Sequence, residues 1–413
     1  MINKHNIDSR VLNIITTLQQ AGFDAFLVGG GVRDLLLQAR PKDFDIATNA
    51  HPEQIKALFR NCRLIGRRFR LAHIHFGREY IEVATFRGKH EATDTHAESG
   101  MVINDNVYGT LEEDAVRRDL TINALYYNPS TDKIVDLVEG LPDIKQKIIR
   151  IIGDPATRFR EDPVRMLRVL RLASKLNFTI EPNTLAPISE MYPLLEHISP
   201  ARLFEETLKI FHSGRAQYAL KLLEEHHLIT LLFPTLIPCL TDNNIKQQLM
   251  QMLYLSTQNT DARIQQQKSV TPAFLFAAFL WHAIKLEAAH QEADGLPPMA
   301  ALDVAAKIIL AKQNQRTAIP KRINLMMRDI WALQYRLKRH QGNRAFRLFE
   351  HPRFRAAYDF LVLRAESQET TNTLANWWTQ FQEATTPERR KMVTSSKTQG
   401  KKRGKKRNGY TNN

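Results

Sequence analysis

The feature that most constrains this chain is a change of hydrophobic period near residue 150. Before it, short apolar runs of period two alternate with short helical patterns. After it, apolar residues recur at helical spacing as far as about Phe381. Such a chain is neither one sheet nor one bundle. It must fold as α+β, with a small α/β head carrying a mixed sheet and then an all-helical neck and body. Its 413 residues, 43% of them hydrophobic, suffice for two or three packed domains. The expected divisions are a head over 1–150, a helical neck over 151–215, a helical body over 216–386 and a disordered basic tail over 387–413.

Within the head, Ala25–Val28 reads as a strand that ends at Gly29-Gly30-Gly31 and is followed by a helix over 32–37. Residues 42–46 alternate as a half-buried strand does, and Asn49 with Pro52 signals a helix through Phe59. Leu71–Phe76 and 80–86 flank Gly77-Arg78 and predict a hairpin; 120–127 and 134–138 predict another. Thr110 and Glu113 fit a capping box. The stretch 90–106 has little period and is expected to be a mobile loop. Asp154-Pro155, Asp162-Pro163 and Ser199-Pro200 each pair a cap residue with proline at a helix start.

The formal charge is +15, and residues 389–413 alone hold ten Lys/Arg and no acid. A tail of that kind suits a polyanionic partner, nucleic acid before membrane. Cys62 and Cys239 are the only cysteines, which excludes a disulfide framework or a thiolate zinc site and fits a reducing cytoplasm. The longest apolar run, 273–281, is far short of a membrane span.

Chemistry concentrates in four places. Asp43-Phe44-Asp45 puts two carboxylates on one strand face, and Mg²⁺ is the natural ion to relieve their repulsion. The glycine run upstream can cradle phosphate through its amides, although it is neither a Rossmann fingerprint nor a P-loop. Two-metal phosphoryl chemistry calls for a third acid, for which Glu82 and Asp119 both qualify and between which spacing does not decide. Finally, Arg165, Arg168 and Arg171 lie on the open side of a helix whose buried stripe is Met166, Leu167, Val169, Leu170 and Leu172.

Taken together, Phe26-Leu27-Val28-Gly29-Gly30-Gly31-Val32-Arg33-Asp34, Asp43-Phe44-Asp45, Arg117-Arg118-Asp119-Leu120-Thr121-Ile122-Asn123-Ala124-Leu125 and Glu161-Asp162-Pro163-Val164-Arg165 resemble the class II nucleotidyltransferases. That family contains tRNA CCA-adding enzymes and bacterial poly(A) polymerases. Leu120 stands where the family usually has Phe. The segment from Phe59 to His73, Ile319-Pro320-Lys321-Arg322 with Arg328-Asp329-Ile330-Trp331, the segment from His351 to Asp359, and the basic tail are similar to the poly(A) polymerase branch.

The resemblance implies transfer of AMP from ATP to RNA 3′ ends with release of pyrophosphate and two Mg²⁺ ions held by Asp43 and Asp45. It counts Asp119 among the active-site acids, places Gly30, Gly31 and Arg33 on the triphosphate, Arg118 and Asn123 by the ribose, and Asp162 and Arg165 by the base. Glu82 is added as a further acid, and Arg168 and Arg171 as further nucleotide contacts. RNA contacts are expected from Arg67, Arg68, Arg70, Lys401, Lys402, Arg403, Lys405, Lys406 and Arg407, with stacking on Phe69. RNA-decay and RNA-chaperone proteins are the expected protein partners. CCA addition to tRNA is the alternative activity.

Overall fold

The structure is a computed structural model that describes residues 2–66, 70–88 and 107–403, with side chains through 394. It divides into two compact units, Met1–Ile198 and Ser199–Asn413. The expected loop at 90–106, Arg67, Arg68, Phe69, Lys405, Lys406 and Arg407 lie outside the described residues, as do the side chains of Lys401, Lys402 and Arg403.

The first unit is built on a mixed sheet of β1 (Ala25–Val28), β2 (Asp45–Thr48), β3 (Cys62–Ile65), β4 (Leu71–Phe76), β5 (Glu79–Thr85), β6 (Leu125–Asn128) and β7 (Lys133–Asp136). The strand order is β3-β4-β5-β2-β1-β6-β7. Within this sheet, among the described residues, only β2 and β5 run parallel. Both expected hairpins are present, β4–β5 turning at Gly77 with φ 67°. Around the sheet lie α1 (Ser9–Gln20), α2 (Gly30–Leu36), α3 (Pro52–Leu58), α4 (Leu111–Arg117), α5 (Gly140–Gln146), α6 (Pro155–Glu161) and α7 (Val164–Leu176).

Strand alternation decides which residues the sheet buries. Leu27, Ile46, Ile74, Ile81 and Val83 join α1 and α3 in one core. Phe26, Val28, Ala47 and Tyr126 take the opposite face and pack with Ala115 of α4. Asp45 and Glu82 alternate with buried neighbours, so they share that second face.

Several local expectations shift. Strand β2 begins at Asp45, which leaves Asp43 in the loop before it. Residues 120–124 do not extend β6: Thr121–Asn123 form a 3₁₀ turn. The Thr121 N–H donates to Arg150 O and the Ile152 N–H to Asp119 O, so this segment is tied instead to residues 150–152, which follow the short strand Ile148–Ile149. Asp162 was expected to cap α7, but it terminates α6 (φ −150°) and Pro163 occupies the cap of α7. Asp154 does cap α6, accepting from the Thr157 N–H at 2.8 Å.

The second unit is helical. Its centre is Pro272–Ala293, which by length and composition alone could cross a membrane but is mostly buried among the surrounding helices. A helix apolar on every side is what a core position requires. Trp378 is fully buried with its Nε1–H on Leu337 O at 3.1 Å. The boundary expected at 387 falls inside a helix, Thr386–Arg403. Its start is fixed by the Thr385 N–H on Glu388, by Arg389 donating to Phe381 O at 2.7 Å, and by Val393 buried in the core around Trp378.

Candidate active site

The glycine run brings the acids to one place. Gly29 has φ 79° and ψ −143°, a conformation open to glycine, and turns β1 into α2. A Cβ there would lie 3.7 Å from Asp45 Oδ2 and 3.9 Å from Arg118 Nη1. A Cβ on Gly31 would stand 3.4 Å from the Asp43 carbonyl oxygen, so the loop carrying Asp43 rests on the first turn of α2. Gly30 adjoins Arg33, whose Nη2 would be 3.3 Å from a Cβ at that position.

Asp45 is the register partner of Val28 on one side and of Glu82 on the other. Parallel neighbours are about 4.8 Å apart, so the two carboxylates stand side by side. Asp45 remains open to solvent, yet the protein around it, then the charges of Glu82 and Asp43, push its carboxyl up to about 6 against the pull of Arg118. Burial also pushes Glu82 up, with Arg87 opposing. In both acids burial outweighs the nearby arginine.

A layer of arginines lies against this acid group. Arg118 donates to Asp114 Oδ2 (2.8 Å from Nη2) and to the Tyr126 hydroxyl (2.8 Å from Nε), and it lies over the Tyr126 ring at 5.1 Å. Asp114 also accepts from the Tyr126 hydroxyl at 2.6 Å and from the Arg87 N–H at 3.1 Å. Arg158 donates to Arg118 O at 2.8 Å and to Glu161 at 2.8 Å. Arg165 reaches Asp119 and Glu161, both at 2.7 Å, and Arg168 also binds Asp119. Burial lowers Arg117 to about 10, with the repulsion of Arg87, Arg158 and Arg165 added. Arg87 and Arg158 are lowered too, first by burial.

The two candidates for a third acid are thus in different environments. Glu82 sits beside Asp45 on the sheet. Asp119 is held between Arg168 and Arg165, which outweigh its burial and bring it down to about 2. Arg33 is 4% exposed, with its guanidinium on Asp34 Oδ1 and, through Nη1, on Asn123 Oδ1 at 2.6 Å. Asp162 joins α6 to α7, and Arg171 continues the half-open side of α7 beyond Arg168. Arg70 pairs with Glu53 at 2.7 Å on the surface. Sequence reasoning passed over Asp114, Tyr126 and Arg158. Arg158 was findable, because it lies on the helix that Asp154-Pro155 begins, immediately before the Glu161–Arg165 motif.

No three of His, Cys, Asp and Glu close into a preformed cation cage among the described residues. The acids form an open oxygen donor set instead, in which the Asp45 and Glu82 carboxyls are raised. That set fits Mg²⁺, which keeps several waters and completes its shell with substrate phosphate.

Comparison with known proteins follows the same outline. Residues 25–150 match the family described as the Poly A polymerase head domain, and 294–411 match the polymerase A arginine-rich C-terminus. Residues 177–240 match the "Probable RNA and SrmB- binding site of polymerase A". Poly(A) polymerase I of Salmonella typhimurium is 47% identical over 402 residues, 95% of this chain and 86% of that protein. A CCA-adding enzyme of Bacillus licheniformis is 41% identical over 210 residues, 50% of this chain and 52% of that protein. Among solved structures, the CCA-adding enzyme of Bacillus stearothermophilus in complex with CTP has a TM-score of 0.61 at 27% identity, covering 88% of this chain and 78% of that one.

Proposed function

Because the chain belongs to the poly(A) polymerase I family of nucleotidyltransferases, we propose that it adds AMP from ATP, without a template, to the 3′-hydroxyl end of RNA and releases pyrophosphate. One observation carries this reading. Asp45 and Glu82, pushed up first by burial, stand beside a group of arginines, of which Arg87, Arg117 and Arg158 are pushed down first by burial. A nucleoside triphosphate with its divalent cation supplies both countercharges at once.

Asp43, Asp45 and Glu82 are the residues that would hold Mg²⁺. When bound, the ions would activate the 3′-hydroxyl and neutralise charge developing on the α-phosphate and the leaving group. The chain's own residues orient the reactants. Gly29 keeps the approach to Asp45 and Arg118 free of side chains. The triphosphate lies along the first turn of α2 and Arg118, with Arg117 and Arg158 behind. Arg33 and Asn123 brace the glycine turn against the 3₁₀ segment, and the region of Asp162, Arg165, Arg168 and Arg171 faces the nucleotide's base and sugar. Asp119 orients Arg165 and Arg168. No protein nucleophile is required, since the reaction is one displacement at phosphorus.

Similarity to poly(A) polymerases runs along 95% of the chain, whereas similarity to the CCA-adding relative stops at half, which favours AMP addition over CCA addition. The expected cytoplasmic location and a part in RNA decay go with this reading. The test offers each nucleoside triphosphate separately, with Mg²⁺, to a generic RNA oligomer and to a tRNA lacking CCA. A long ladder from ATP alone on the generic RNA is expected. Addition of two C and one A confined to the tRNA would overturn the choice of activity and leave the site standing.

A further inference from the structure

One cross-strand row extends beyond the acids. Asp45 pairs with Glu82, Glu82 with His73, and His73 with Arg63, a row running from β2 through β5 and β4 to β3 on one sheet face. His73 Nε2 lies 3.5 Å from Glu82 Oε2. The His73 ring stacks on Tyr80, with centroids 4.1 Å apart and planes 8° from parallel; His75 is 5.8 Å from the same tyrosine. Tyr80 is 53% exposed. It precedes Glu82 by two residues, which places it about 7 Å along the strand on the same face. Next to this stack, Arg63 is exposed with no ion pair among the described residues.

We propose that the Tyr80–His73 stack is the platform on which the 3′-terminal base of the RNA acceptor rests, with Arg63 beside its backbone. The proposal rests on the polymerase reading above and adds where the acceptor sits. Three considerations support it. In displacement at phosphorus the attacking oxygen and the leaving pyrophosphate lie roughly in line. Arg118 and the arginines behind it flank the acids near β1, so the 3′-hydroxyl must come from the β5–β4 side, which is where the stack lies. Secondly, a stacked histidine–tyrosine pair with an exposed ring can accept another flat ring, as aromatic residues do in single-strand binding. Thirdly, stacking does not read base identity, which suits an enzyme whose acceptor end changes to A after the first addition and whose starting RNAs end in any base.

The experiment measures initial AMP addition as a function of acceptor concentration for the full-length wild type, Tyr80→Ala and Tyr80→Phe. A second acceptor carries an abasic 3′-terminal nucleotide. Tyr80→Ala should raise the acceptor KM roughly 5- to 150-fold, the effect of losing one base–aromatic stack. The KM for ATP should move by less than about twofold, and Tyr80→Phe should behave as wild type. The abasic acceptor should suffer the same loss with wild type and little further loss with Tyr80→Ala; a structural defect alone would not reproduce that coupling. Melting curves of the variants would register any general loss of folding. An unchanged acceptor KM in Tyr80→Ala overturns the platform, as does a change confined to ATP, which would put the incoming base there. A wild type that extends no RNA with ATP sinks the polymerase reading and this proposal together.

Discussion

Asp45 and Glu82 are direct register partners across the parallel strands β2 and β5, and both carboxyls are raised above their ordinary range. Asp45→Asn should therefore reduce AMP addition by at least about 10²–10³-fold, the scale for loss of one electrostatic stabiliser. In chelator the same variant should be more stable than wild type by up to about 1 kcal/mol, after allowing for solvent screening. The sign follows from a folded-state pKa near 6, above the unfolded value. The native state binds this proton more tightly, so Asp45 lowers stability as pH rises toward 6. Denaturation at several pH values should show the variant's advantage at pH 8 and its disappearance toward about pH 4. An equal advantage at every pH would refute the raised Asp45 carboxyl.

Cation binding should reverse that penalty. Mg²⁺ added to wild type should raise Tm as binding to the native state requires, reaching about 2.7 kcal/mol at 100 times its Kd. Asp45→Asn should respond much less. ATP together with Mg²⁺ should stabilise wild type further, because the triphosphate adds negative charge beside the buried arginines. A variant that responds as wild type does would move the cation elsewhere.

Asp114 is 5% exposed and anchors Arg118, Tyr126 and the Arg87 N–H. Its replacement by alanine leaves Arg118 without its carboxylate, which should cost about 3–5 kcal/mol. The KM for ATP should rise along with the loss of Tm. Lost stability with unaltered dependence on ATP would remove Arg118 from the nucleotide site.

Asp119 is the opposite case. The arginines at 165 and 168 bring it to about 2, below an unfolded value of about 3.9, so its ionised form contributes about 2–3 kcal/mol. A lowered acid stabilises above its unfolded pKa and loses that effect as pH falls from about 4 to about 2. Asp119→Asn should be less stable than wild type at pH 7 and nearly equal to it near pH 2, by urea denaturation. Persistence of the difference at pH 2 would point to packing instead of charge.

Truncation after Thr394 keeps Arg389 and Val393, which pack into the second unit, and removes seven Lys/Arg. RNA binding should weaken, and the slope of log K against log salt should flatten by up to about 5 if every removed charge meets a phosphate of single-stranded RNA. An unchanged slope would assign the tail another purpose.

Much of the head was legible in the sequence because its signals are local. Strand β1 with its glycine stop, both hairpins, the Thr110 capping box and the open arginine side of α7 follow from period and turn chemistry. Which of Glu82 and Asp119 stands beside Asp45 was not legible. It depends on which strand lies beside β2, and Asp45 and its partner Glu82 are 37 positions apart along the chain. Residues 120–124 misled for a related reason: they look like a strand, but the Thr121 amide goes to Arg150 and the Asn123 and Ala124 amides close a 3₁₀ turn. Asp162 misled because a cap residue before proline can also end the preceding helix.

The sequence by itself determined the order of parts, an α/β head followed by helices and a basic end, and the inventory of acids, glycines and arginines from which a site could be made. Those depend on the period of burial and on turn geometry, which act over a few residues. Only the tertiary structure decided the company each charge keeps. By placing β5 next to β2, it left Glu82 and Asp45 side by side, with burial outweighing the pull of Arg87 and Arg118. By placing α7 against the segment after α4, it compensated Asp119 fully. Identical carboxyl groups were driven to opposite ends of their titration range because electrostatic energy depends on distance and burial in space, and position along the chain fixes neither.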